Sequence, residues 1–107
     1  MTEARRPHQA RPGRRAVVAP DLDALHGPVA GVVELPHRLF WQSRRQVDLD
    51  RPTQLVWMYE TVLRESARVD ELVDWLDRDT LLRVWPDLFV PSGVRDAWQE
   101  RHPVLTS

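Results

Sequence analysis

Proline limits how long any element of this chain can be. It lacks an amide hydrogen and fixes φ, so a helix accepts it only in the first turn and an inner strand not at all. Nine prolines are spread over 107 residues. Pro36, Pro86 and Pro103 each close a run of regular structure, and Pro52 opens one. Short elements around one small core are what fit between them. A chain of this length buries only about two-thirds of the surface its unfolded form exposes.

Gly27-Pro28 and Gly31 mark the entry into an extended region. Val32 to Leu35, Arg38 to Trp41 and Gln46 to Leu49 read as short strands, separated by Pro36 and the turn Ser43-Arg44-Arg45. Alternation places Leu39, Trp41, Val47 and Leu49 on one face, with Arg38, Phe40 and Asp48 on the other. Asp50 before Pro52 is a helix start, and Leu55, Tyr59, Val62, Leu63 and Ser66 give that helix an apolar face to about Ala67. Val69-Asp70 starts a second helix with Leu72, Val73 and Leu76 inward, and Asp79 caps a third that aligns Leu81 with Trp85. After the apolar connector Leu88-Phe89-Val90-Pro91, Ser92 caps a last helix with Val94, Ala97 and Trp98 inward. The expected fold is α+β, a short β-hairpin or meander followed by about four short helices, behind a disordered N-terminal arm.

The arm is defined by charge. Residues 1–20 carry Arg5, Arg6, Arg11, Arg14 and Arg15 against Glu3 alone, giving +4, while the remainder sets ten arginines against fifteen acids and stands at −5. Pro7, Pro12, Gly13 and Pro20 with few apolar residues leave the arm too little to bury, so residues 1–20 read as disordered and residues 21–107 as a small acidic interaction domain. The arm reads first as a solubilising tail or an overextended start. Its functional alternative is weak, salt-sensitive phosphate contact through its five arginines, which would make the chain a small nucleic-acid-binding regulator.

Much chemistry is excluded by residue type. With no lysine there is no Schiff base or Walker-type phosphate clamp, and with no cysteine no disulfide, thiolate nucleophile or cysteine-ligated zinc. No window approaches the roughly 18 apolar residues of a membrane span, and no apolar core follows the N-terminal arginines as in a secretory signal, so the cytoplasm is the expected compartment. The four glycines stand apart, and His8, His26, His37 and His102 lack metal-ligand spacing and read as surface or turn residues. Asp21-Leu22-Asp23 and Asp48-Leu49-Asp50 resemble a divalent-cation pair, but both precede predicted helices and read as caps. A helix-turn-helix around Arg78-Asp79 is disfavoured, because Thr80 to Trp85 offers only Thr80 and Arg83 to a major groove. No enzyme, cofactor or metal is expected.

The aromatics remain. Trp41, Trp85 and Trp98 read as core, whereas Trp57 falls on the polar face of its helix with Glu60, Thr61 and Arg64, and Phe40 faces away from its buried neighbours. Trp75 lies at the edge of its apolar stripe. Phe40, Trp57, Arg64 and Trp75 are therefore the candidate partner-binding residues.

The strings GPVAGVVELPHRLFW (27–41), VDLDRP (47–52), YETVLRESA (59–67) and LLRVWPDLFVPSGVRDAWQERHPVL (81–105) together resemble a family of short actinobacterial proteins. Members are commonly encoded beside a nucleotidyltransferase toxin of the abortive-infection AbiEii-like class and are taken to be its antitoxins, similar to the small mycobacterial Men-type antitoxins. The resemblance spans the chain from Asp21 onward and rests on the spacing of the whole string. It implies a partner, the cognate nucleotidyltransferase toxin, acting on RNA at the acceptor end of transfer RNA, and an acidic body able to cover a basic RNA-binding groove. The arginine-rich segment before Pro20 has no counterpart in the family pattern.

Overall fold

The computed structural model describes residues 9–11, 14–36, 39 and 46–106. Strands β1 (Gln9–Arg11) and β2 (Arg14–Arg15) form one antiparallel pair, and β3 (Val32–Glu34) and β4 (Gln46–Asp48) a second. Four helices follow: α1 (Pro52–Glu65), α2 (Val69–Trp75), α3 (Arg78–Val84) and α4 (Ser92–Arg101). The fold is α+β, as the patterning predicts. Of the three runs read as strands, the first and third pair with each other in the register Val32↔Asp48, Val33↔Val47, Glu34↔Gln46. The second lies outside the described residues except for Leu39.

The core forms where the inward faces converge. Leu39, Val47 and Leu49 from the hairpin region, Leu55, Tyr59, Val62 and Leu63 from α1, and Leu72, Leu76, Leu81, Trp85, Val94 and Trp98 from the rest are all buried. The Trp85 and Trp98 rings lie at its centre, 6.5 Å apart and inclined by 44°. Both were expected there; Trp41 lies outside the described residues.

Packed structure begins before Asp21. Ala16, Val17 and Val18 lie against the core and Ala19 is wholly buried, so this apolar run belongs to the body. β1 runs beside α4, which puts two short strands within the segment read as disordered. The tie is His102, the residue that ends α4. Its Nε2 donates to the Ala19 carbonyl at 2.6 Å, and its ring packs on Trp98 with centroids 5.7 Å apart. The surface or turn reading of His102 is thereby corrected: closing α4 directs the ring inward, where a backbone carbonyl satisfies it.

Several caps are also reassigned. Asp50 does not cap α1, which follows Arg51 without a side-chain cap and starts on Pro52. Asp50 reaches back instead to the Gly31 amide (3.2 Å), while Asp48 accepts from the Asp50 amide (3.0 Å) and Gln54 accepts from the Asp48 amide (2.8 Å). Gly31, at φ +82°, turns its amide toward that carboxylate in a conformation costly for other residues. α2 begins at Val69, one residue before the expected cap Asp70, and Glu71 reaches back to the Ala67 amide (2.8 Å). α3 is capped by Asp77 rather than Asp79, with its Oδ2 accepting from both the amide and the hydroxyl of Thr80 (3.0 and 2.9 Å). Asp79 instead pairs with Arg78. Pro91 precedes α4, and Ser92 is its first helical residue with no side-chain cap.

A close backbone crossing joins the front of the body to α2. The His26 and Gly27 amides donate to the Val73 and Leu76 carbonyls at 3.0 and 2.7 Å. These lie at the C-terminal end of α2, where carbonyls lack intrahelical partners. A Cβ on Gly27 would overlap the Trp75 carbonyl carbon and stand 2.6 Å from the Leu76 nitrogen. Only glycine permits this approach.

Candidate protein-interaction site

The feature that stands out is the connector between α3 and α4. Pro86 sits in a 3-10 turn, Trp85–Asp87, and the chain leaves it extended at Leu88, with neither helix nor strand before α4. Alternation in an extended segment turns neighbouring side chains to opposite sides. Leu88 and Val90 enter the core at 4% and 9% exposure, whereas Phe89 points outward at 87%.

Phe89 is not on a slack loop. The Leu88–Phe89 peptide is held at both ends: its carbonyl accepts from Arg95 Nη2 of α4 at 2.5 Å, and its amide donates to Glu60 Oε2 of α1 at 2.7 Å. Arg95 is itself fixed, with its guanidinium carbon 4.9 Å from the centroid of the buried Trp85 ring and Nη2 also 3.4 Å from the Trp85 carbonyl. Leu88 closes the turn by donating to that same carbonyl at 3.2 Å. Charge-assisted bonds of this kind exceed neutral ones in strength. The connector therefore presents one large aromatic side chain from a fixed backbone.

This arrangement also explains the polar face of α1. Glu60 is occupied by the connector, and Thr61 is buried, its hydroxyl donating to the Trp57 carbonyl at 2.9 Å. Trp57 is half-buried and packs on the edge of the core, which corrects its expected protrusion. The connector meets α1 at Glu60, on the side opposite the main apolar stripe. Trp75 is likewise half-buried against the core. Arg64 pairs with its neighbour Glu65 at 3.0 Å.

The candidate partner-binding residues are thus not gathered into one patch. Trp57 and Arg64 share the length of α1, Trp75 ends α2, and Phe40 lies outside the described residues. So do Arg5 and Arg6, while Arg11, Arg14 and Arg15 contribute backbone to β1 and β2. In the sequence Phe89 reads only as part of an apolar connector. The available signal was the extended run between two prolines, whose alternation sends an aromatic outward between two inward aliphatics.

Other exposed large apolar residues among those described are aliphatic: Val29, Val32 and Val104. Two shallow clefts flank the body. One, about 400 Å³, is lined by Val32, Gln46, Asp48, Arg51 and Gln54, and another, about 300 Å³, by Asp21, Asp23, Arg78 and Leu82 among others. Several of their polar groups are engaged within the fold. Asp21 holds the Asp23 amide at 2.9 Å, and Asp23 pairs with Arg78 at 2.7 Å. Among the described residues no three histidine or acidic groups converge as a metal site, and no helix is long and apolar enough to cross a membrane.

Comparison of the chain with protein-family models, with curated proteins and with solved structures finds no match to any of the three.

Proposed function

We propose that this chain is a protein-binding module that docks through Phe89 and, following its resemblance to the small antitoxins, neutralises a cognate nucleotidyltransferase toxin acting on RNA. The observation that carries the reading is the exposure of Phe89 on a peptide held from two helices. A large aromatic costs little conformational entropy to immobilise when its backbone is already fixed, and aromatic anchors dominate interface energetics.

Charge supports the same class of partner. The chain from Asp21 onward carries −5, and Asp87 lies exposed two residues before the anchor. An enzyme that binds RNA presents a basic surface, which such a body complements. The inhibitor thus reads as an acidic plug with one apolar tooth.

The test is co-expression with the product of the adjacent gene. A stable complex and relief of growth arrest support the reading. A harmless neighbour, or two proteins that do not co-purify, overturns it.

A further inference from the structure

We infer that Glu60 is a positioning residue: its carboxylate, with Arg95 opposite, locks the Leu88–Phe89 peptide so that the Phe89 side chain leaves the backbone toward solvent before any partner arrives. The inference deepens the proposed function and rests on it for its purpose, while the lock itself is a property of the free chain.

The two clamping groups come from the longest helices among the described residues, α1 of 14 residues and α4 of 10. Their charges match the peptide's polarity. The cation meets the carbonyl oxygen at 2.5 Å, and the anion meets the amide hydrogen with 2.7 Å between heavy atoms. Reversing Glu60 sets a donor against the amide, reversing Arg95 sets an acceptor against the carbonyl, and neutralising either one removes the charge assistance. Leu88 and Val90, both buried, anchor the chain on either side, so rotation of Phe89 toward the core would require extracting them. Neutral local packing would have sufficed to stop α3 and start α4. Two oppositely charged side chains on one peptide do more, because they fix its plane.

Glu60 serves the interface without needing to touch the partner. Its effect on binding should therefore follow the hydrogen-bond acceptor it offers Phe89 and not its net charge. Glu60→Gln keeps an oxygen acceptor and loses the charge; Glu60→Ala loses both.

The experiment uses the full chain and two measurements. Amide hydrogen exchange on the free protein should show Phe89 protected in the wild type, at least about tenfold less protected in Glu60→Ala, and largely protected in Glu60→Gln, tenfold being the factor for roughly 1.4 kcal/mol. Binding to the purified adjacent-gene product should weaken about tenfold in Glu60→Ala and much less in Glu60→Gln. Unprotected Phe89 in the folded wild type overturns the lock, and equal loss of affinity in both variants overturns the positioning role in favour of direct charge contact. If the wild type binds nothing yet shows the exchange pattern, the proposed function fails and the lock stands. Circular dichroism of each variant separates these outcomes from unfolding.

Discussion

Glu60 and Phe89 lie 29 residues apart and meet through a 2.7 Å hydrogen bond, in which the α1 carboxylate accepts from the backbone amide of the connector. The contact joins the longest helix to the segment between α3 and α4. It also ties the backbone of the most exposed aromatic among the described residues to Glu60, one helical turn along α1 from Trp57, which is held at the edge of the core. Anchor and fold therefore separate by residue, and this can be measured.

Phe89→Ala should leave stability within about 0.5 kcal/mol of the wild type, because an outward side chain contributes little to the core. Affinity for the adjacent-gene product should drop by about 2 kcal/mol or more, roughly thirtyfold in Kd. Trp57→Ala should do the reverse in part, lowering stability by about 1–2 kcal/mol through lost core-edge packing. Urea titrations and binding isotherms on both variants check the pair.

Gly27 and Gly31 should fail for different reasons. Gly27→Ala pushes a methyl group into the backbone of Trp75 and Leu76, and overpacking of this kind costs about 1–3 kcal/mol or more where backbone must move. A Cβ on Gly31 meets nothing within 4 Å, so Gly31→Ala should cost only the strain of φ +82°, about 1–2 kcal/mol. Gly31→Asn should recover part of that loss, whereas Gly27→Asn should not. Equilibrium unfolding of the four variants provides the comparison.

Tyr59 makes stability sensitive to alkali. Burial pushes its phenol up from 10.0 to about 12, partly offset by the hydrogen bond from the Asp77 amide. The folded state thus keeps its proton at pH values where the unfolded state has lost it. Stability from this group is fully present below pH 10 and declines as pH rises through the window from 10.0 to about 12, by an amount on the order of 2–3 kcal/mol. Tyr59→Phe should remove this alkaline decline. At neutral pH it should cost about 1–2 kcal/mol, since the Asp77 amide, 2.9 Å from the hydroxyl, loses its acceptor. Urea midpoints at pH 7, 9 and 11 test both halves.

His102→Leu keeps bulk beside Trp98 and deletes the donor to the Ala19 carbonyl. The expected cost is about 1–3 kcal/mol, the usual effect of leaving a buried polar group unpaired. The loss should be local in its first effect. Limited proteolysis should cut within Ala16 to Ala19 sooner than in the wild type, while the Trp98 core retains its near-ultraviolet signal.

Helix α1 shows how much of the fold could be read from the residues. Leu55, Tyr59, Val62 and Leu63 recur at helical spacing and all are buried, because a stripe of that width has to face a core. The same holds for Leu81 with Trp85 and for Val94, Ala97 and Trp98. Caps were less legible. Asp50, Asp70 and Asp79 each sat at a plausible start, yet Asp77 alone among the neighbouring acids caps through its side chain, since capping depends on backbone direction at one residue.

The candidate site was less legible still. Periodicity sorts one helix into an apolar and a polar side, but it cannot say what crosses the polar side. The pattern puts Trp57 on the polar face of α1, yet it is half-buried at the edge of the core, and the connector meets the same face at Glu60. Phe89 was lost in an apolar run for the opposite reason, because composition does not reveal which member of a short extended segment points out.

By itself the sequence determined an α+β body of short elements, its helical faces and the central tryptophans, since these follow from local period and from where proline forbids continuation. Tertiary structure alone decided that Ala19 is tied to His102, that Gly27 meets the backbone of Trp75, and that Glu60 and Arg95 hold Phe89 outward. Apart from the local reach of Arg95 to Leu88, each of these is a meeting of residues distant in the chain, fixed by how elements pack and not by any spacing within them.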